Sequence, residues 1–337
     1  AFGYGVSQSG RFLRQLLWEG LNVDEAGATV FDGVLAHIAG GRRGEFNQRY
    51  AHPSFTHVIG WSNLPPYDTA GLLERQRAIG GVPRAMFVNT AWECWRGDGA
   101  LVHVDPETGG DLPEDPDARA YLVAGTDHIG AMPMKDAMPT ANPVHHLDVS
   151  LVLRALFVEL DRWVCDGEEP PPSQVPRWSD GTASWRTDVL ARFAHVPTPD
   201  PDVLNVTRAV DLGPDADRGW PVRLGPPVPA VVADVDDDGN EVCGIRLPAI
   251  AAPVAAFTGW NPRRPVTGLP DVLYEFVGSR LPFPPGRPTL AERYGDRDGY
   301  AAAARGAARS LVAGRFLLEG DVDRAVDAAL AAYDEVV

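Results

Sequence analysis

Three residues stand out for their chemistry: Ser7, Glu93 and His128. Ser7 sits in Tyr4-Gly5-Val6-Ser7-Gln8-Ser9-Gly10, between a short apolar run and an amphipathic one. A serine hydroxyl is a poor nucleophile at neutral pH and needs a base within hydrogen-bond reach. Imidazole suits that task because its pKa lies near the operating pH. A buried carboxylate then fixes the tautomer and stabilises the imidazolium as it forms. A nucleophile displayed on a sharp strand-to-helix turn requires small residues two before and two after it. Gly5 meets the first requirement, and Ser9, followed by Gly10, stands at the second. The backbone N–H of Gln8 would supply one oxyanion donor, a group whose loss typically costs about 10²- to 10³-fold in rate. The same segment also reads as a plain helix start with Ser7 or Ser9 as N-cap. A dinucleotide-type phosphate turn is a third reading, but Gly3-Tyr4-Gly5-Val6-Ser7-Gln8 fails at its third glycine.

The downstream candidates fall in the order serine, acid, histidine, as expected for a nucleophile on such a turn. A strand ending at Asn89 is followed by Glu93, and a strand ending at Ala124 is followed by Gly125-Thr126-Asp127-His128. Asp98, Asp105 and Asp127 compete for the acid role, with Asp98 the main rival. Asp127 adjoins the base in sequence and points elsewhere on a regular backbone. Trp92 and Trp95 flank Glu93 and offer it an apolar setting, or are simply core. His37 closes a strand with no loop leading it back to Ser7, so a satisfied core histidine is expected there. His52, His57 and His103 read as loop residues, and His145-His146 as helix-capping or surface residues.

The elements that must position these residues alternate between strands and helices. Phe2 to Gly5 reads as the end of a strand, and Ser9 to Gly20 as a helix with Phe12, Leu13, Leu16 and Leu17 at helical spacing. Val30 to Ile38 is a buried strand, and a long irregular stretch from Arg42 to Asp68 follows. Asn47, Arg49 and Trp61 in that stretch are candidate substrate-pocket residues. Thr69 to Ile79 is a helix, Arg84 to Asn89 and Ala120 to Ala124 are strands, and Asp148 to Cys165 is an apolar helix. Strands separated by helical crossovers imply a parallel sheet and the α/β class. Residues 168–290 are rich in Pro and Gly, with short strands at 222–224 and 228–233 and no helical periodicity. Asp234-Val-Asp-Asp-Asp-Gly-Asn240 has the opening of a calcium loop, but Ile245 stands where the bidentate Glu belongs. A hairpin turn through Asp238-Gly239 fits it better. From Leu290 the chain is helical again, with Tyr300 to Leu318 and a last helix capped by Asp321.

The formal charge of −16 argues against nucleic acid and anionic lipid as partners. No apolar run reaches the roughly 20 residues that cross a bilayer. Lys135 is the only lysine, so nearly every cation is arginine. Cys94, Cys165 and Cys243 are too few and too scattered for a disulfide framework or a zinc site. The chain opens at Ala1 inside what reads as a buried strand, so earlier strands, and with them the second oxyanion donor, are expected to precede it.

Gly5-Val-Ser-Gln-Ser-Gly-Arg-Phe-Leu-Arg14, Phe31-Asp-Gly-Val34, Glu93-Cys-Trp-Arg96 and Ala124-Gly-Thr-Asp-His128 resemble the bacterial proteins grouped as the "alpha/beta hydrolase domain" family. Asp236-Asp-Asp-Gly-Asn-Glu241 and Thr258-Gly-Trp-Asn261 match it too, so the similarity runs through most of the chain. Cys94 departs from the pattern, where an aromatic residue is expected. The resemblance implies an α/β-hydrolase-type, mostly parallel sheet and a triad matching Ser7, Glu93 and His128. Residues 1–167 are then the C-terminal half of the catalytic core, 168–290 a β- and loop-rich elaboration, and 291–337 helices packed on the core. The expected reaction is hydrolysis of a small-molecule carboxylic ester through an acyl-enzyme on Ser7, with no cofactor or metal. An amidase, lactonase or acyltransferase using the same triad, or an inactive hydrolase-like binding module, are the alternatives.

Overall fold

The computed structural model describes residues 1–44, 46, 60–211 and 223–337, without the side chains of 60–63 and 211. Four strands form one parallel sheet: β1 (Phe2–Val6), β2 (Gly33–His37), β4 (Arg84–Thr90) and β5 (Ala118–Val123), side by side in that order. β3 (Gly60–Asn63) lies outside it, pairing in parallel with β7 (Val206–Asp211). Between the strands run α1 (Gln8–Glu19), α2 (Thr69–Ile79) and the short α3 (Ala91–Arg96), and α4 (Ser150–Cys165) follows β5.

Both faces of the sheet are covered over β2 and β4, which explains why these strands read as buried runs rather than as alternating ones. Successive side chains point to opposite faces. Val34, Ala36, Ala85 and Phe87 therefore meet Leu13 and Leu17 of α1 and Leu72 and Leu73 of α2. Leu35, Met86 and Val88 meet Val152, Leu156, Leu160 and Trp163 of α4. Each such leucine stabilises the fold by about 1.5–3 kcal/mol when fully buried. Of the sheet strands β1 alone alternates, because Phe2, Tyr4 and Val6 lie on an exposed face while Gly3 and Gly5 are buried.

The remaining strands are short: β6 (Ala183–Trp185), β8 (Arg223–Pro227), β9 (Val231–Ala233), β10 (Ala256–Thr258) and β11 (Ser279–Leu281). The Pro-rich region also holds two helices that periodicity could not show, α5 (Arg186–Ala191) and α6 (Pro248–Ala251). Helices of six and four residues span too few turns to repeat an apolar position. This region extends β5 edge-on: Leu122 donates its N–H to Gln174 O at 2.8 Å, and Ile245 donates to Leu122 O at 2.7 Å. Val189, Phe193 and Trp260 share a core with Leu122 and Trp95.

The acidic segment forms the hairpin, with Val235 paired to Glu241 and Gly239 in the left-handed region at φ 86°. Asp236 binds Arg246, and Asp238 binds Arg287 and Arg293, so arginines occupy these carboxylates. At the C-terminus α7 (Leu290–Tyr294), α8 (Arg297–Ala313) and α9 (Val322–Asp334) follow. Tyr300 and Tyr333 stack with ring centres 4.8 Å apart, and Ala308 and Val326 pack on Leu151 of α4. These helices thus add an outer layer beyond α4. Asp321 precedes α9 but makes no side-chain cap, because its carboxylate is taken by Arg154 at 2.8 Å.

Candidate active site

Because β1, β4 and β5 are parallel, the segments after Val6, Thr90 and Val123 all emerge at one edge of the sheet. Ser7 occupies the turn between β1 and α1 at φ 53°, ψ −112°. A positive φ is strained for any residue with a Cβ. A Cβ on Gly5 would lie 2.4 Å from Ser9 O, so only glycine fits there. Ser9 itself is exposed, and the crowding falls instead on Gly10, whose Cβ would lie 3.1 Å from His37 O. Ser7 makes no side-chain cap to its helix. Its Oγ lies 3.0 Å from His128 Nε2. The hydroxyl is therefore directed at a base and not spent on the helix start. Gln8 is the first residue of α1, where backbone N–H groups point out of the helix end.

His128 must cross the sheet to reach Ser7. Three inter-strand steps of about 4.8 Å put β5 roughly 14 Å from β1. The crossing begins at Gly125, at φ 62°, where an added Cβ would lie 2.9 Å from Phe257 O. Glu241, folded beneath this turn, accepts the Gly125 N–H at 2.8 Å. Asp127 holds the other end. It accepts Gly130 N–H at 2.9 Å and Gly278 N–H at 2.8 Å, and pairs with Lys135 Nζ at 2.6 Å. The chain's sole lysine is thus fully buried against the residue preceding the histidine. Breaking a buried pair leaves an uncompensated charge at about 3–5 kcal/mol, so this loop is held firmly.

Glu93 comes from α3 and has two tasks. Its Oε1 accepts His128 Nδ1–H at 2.6 Å, while its Oε2 accepts Thr90 N–H at 2.9 Å and the Thr90 hydroxyl. Thr90 and Glu93 form a reciprocal capping box. Thr90-Ala-Trp-Glu93 carries that signature in the sequence itself. Burial on its own raises the carboxyl's pKa; the bond and charge of His128, with Arg96 and Thr90, overcome this and lower it to about 2. A carboxylate only accepts, so the imidazole proton sits on Nδ1 and Nε2 is left to accept from Ser7.

The rival carboxylate, Asp98, is bonded elsewhere: it accepts from Arg96 Nη2 at 2.8 Å and from Arg42 Nε at 3.2 Å. His37 needs no loop to approach Ser7, because β2 pairs directly with β1 and Val6 faces His37 in register. Its carbonyl accepts Ser7 N–H at 2.8 Å. Its Nε2 is buried with no hydrogen-bond partner among the described residues, so the side chain is not the satisfied one expected. His145 is buried, not a surface cap. Asn47 and Arg49 lie outside the described residues, as do His52 and His57. Trp61 lies on β3, its backbone paired with Thr207 and its side chain also outside the description. A cavity of about 240 Å³ between α4, α8 and α9 is mainly apolar and includes none of Ser7, Glu93 or His128.

The buried titratable groups make stability depend on pH. Burial lowers the imidazoles of His37, His103 and His145 to about 4, 3 and 4, and raises the carboxyl of Glu241 to about 7. Between about pH 4.5 and 6.5, unfolding lets three imidazoles take up a proton and one carboxyl lose one. The unfolded state then binds more protons, so stability rises with pH across this window. Urea midpoints are expected to be clearly higher at about pH 6.5 than at about pH 5; a flat or falling trend contradicts this burial pattern.

A twisted parallel sheet flanked by helices, with a serine, an imidazole and a carboxylate in a hydrogen-bonded row at its carboxyl edge, defines an α/β protein with a hydrolase-type site. The chain belongs to the alpha/beta hydrolase domain family, whose model matches residues 1–327. Neither the curated proteins nor the solved structures compared with it gave a match.

Proposed function

We propose that this protein is a serine hydrolase that cleaves carboxylic esters through an acyl-enzyme on Ser7. The supporting observation is the continuous row Ser7 Oγ–His128 Nε2 at 3.0 Å and His128 Nδ1–Glu93 Oε1 at 2.6 Å. Ser7 Oγ attacks the ester carbonyl carbon as its proton passes to His128 Nε2. Glu93 stabilises the resulting imidazolium, and Gln8 N–H is one donor to the oxyanion. His128 then gives that proton to the departing alkoxide oxygen as the acyl C–O bond breaks, leaving the acyl group on Ser7. Water, losing a proton to Nε2, attacks the acyl carbon; Ser7 Oγ leaves and takes the proton back. Amide, lactone or acyl-transfer chemistry would use the same groups, and the unbroken hydrogen-bonded row from Ser7 to Glu93 is what favours catalysis over mere binding.

Labelling with a fluorophosphonate and mapping the adduct tests this reading. The adduct is expected on Ser7 and is expected to disappear in a His128→Ala variant. A well-folded protein that takes no label, or takes it elsewhere, overturns the proposal.

A further inference from the structure

The Pro-rich region sends one segment, Tyr274–Ser279, directly onto the catalytic histidine. Phe276 packs on the His128 ring with centres 4.8 Å apart and planes 37° apart. Trp92, the residue before Glu93, meets the same Phe276 ring at 5.0 Å and the His128 ring at 5.4 Å. Trp92 is buried, whereas Phe276 stays partly exposed beside the imidazole.

Phe276 holds this place at a conformational cost. Its φ is 71°, a region that disfavours any side chain and a bulky one most. The neighbouring bonds impose it: Ile129 donates its N–H to Phe276 O at 3.3 Å, and Gly278 donates to Asp127 Oδ2 at 2.8 Å. Trp92 Nε1 donates to Tyr274 O at 3.4 Å, and Glu275 pairs with Arg263. A glycine would meet the backbone demand without strain, so the strain is borne to keep a phenyl ring there.

The ring's position identifies which part of a substrate it meets. His128 Nε2 takes the proton from Ser7 and delivers it to the leaving oxygen, so the leaving group must come within hydrogen-bond reach of Nε2. A side chain packed on the imidazole therefore adjoins the alcohol half of the ester rather than the acyl half. We propose that Phe276 is a specificity-determining residue that receives the alcohol half, and that the preferred substrates are esters of flat, apolar, arylmethyl-type alcohols. This rests on the triad reading above. Aromatic rings favour offset-stacked or edge-on contact with such groups, and a small alkyl alcohol cannot make it.

Benzyl acetate and ethyl acetate share an acyl group and have leaving alkoxides of similar basicity, so their comparison isolates recognition of the alcohol. The wild-type chain is expected to show kcat/KM about ten-fold or more higher for benzyl acetate. Phe276→Gly keeps the backbone conformation and removes only the ring; it is expected to erase most of that preference. Phe276→Leu, which keeps bulk but no flat face, is expected to fall between them. Equal turnover of the two esters, or none of either, by protein whose Ser7 takes the fluorophosphonate overturns this inference alone. So does an equal loss for both esters in Phe276→Gly, which would make the ring a positioning group for His128. Failure of Ser7 to label removes the triad reading and this inference with it.

Discussion

Ser7→Ala is expected to lower kcat for ester hydrolysis roughly 10⁶-fold, the scale found when the nucleophile of a serine triad is removed. The size follows from covalent catalysis: without Oγ there is no acyl-enzyme, and His128 has no hydroxyl to deprotonate. Stability should change little, because Ser7 makes no cap to α1 and its one side-chain hydrogen bond among the described residues is to His128. Removing its hydroxyl does not relax the backbone, since alanine keeps the Cβ that makes φ 53° unfavourable. Steady-state hydrolysis of an activated ester, alongside thermal unfolding of the variant, checks both halves. An alanine variant that retains a tenth of the wild-type rate would show that another group is the nucleophile.

Glu93→Gln is expected to cost about 10⁴-fold in kcat, the magnitude associated with losing the triad carboxylate's charge. The local geometry gives a specific reason. Glu93 Oε2 receives two donors from Thr90, its N–H and its hydroxyl. An amide has only one acceptor atom, and these two donors claim it. The amide NH₂ is then turned toward His128, where it donates to Nδ1 and forces the imidazole proton onto Nε2. That tautomer cannot accept from Ser7. The pH–rate profile at low pH should not report ionisation of Glu93 in the wild type, because its carboxyl is held at about 2. Asp98→Asn serves as the contrasting measurement. Its carboxylate is engaged with Arg96 and Arg42, so it is expected to lose stability without the characteristic fall in kcat. A large fall in kcat for Asp98→Asn beside a small one for Glu93→Gln would reverse the assignment.

The candidate site was more legible in the sequence than the surroundings that hold it. Ser7 was visible because the turn needs glycine at position 5 for a purely local reason, the approach of Ser9 O. Glu93 and His128 were visible because parallel strands present their following residues at one edge, whatever the sheet order. The capping pair of Thr90 and Glu93 was equally local and could have been read. By contrast, α5 and α6 were too short to show a period, and although His37 is the core residue expected, its place beside Ser7 was not legible because strand adjacency was not known. Asp127 and Lys135 gave one hint, a solitary lysine, but nothing in the sequence showed that its partner was the residue beside His128.

Phe276 gave no hint at all. Its ring is brought to the imidazole by bonds that Ile129, Trp92 and Arg263, from three separate segments, make to Phe276, Tyr274 and Glu275. The sequence by itself determined the four strands of the parallel sheet, the order of Ser7, Glu93 and His128 after them and the membership in the family, because each rests on patterns within a few neighbouring residues. Only the tertiary structure decided which acid meets the imidazole, what pins the histidine loop and which ring packs on the imidazole. Those outcomes depend on side chains far apart in the chain competing for the same few ångströms, and no local pattern records who wins.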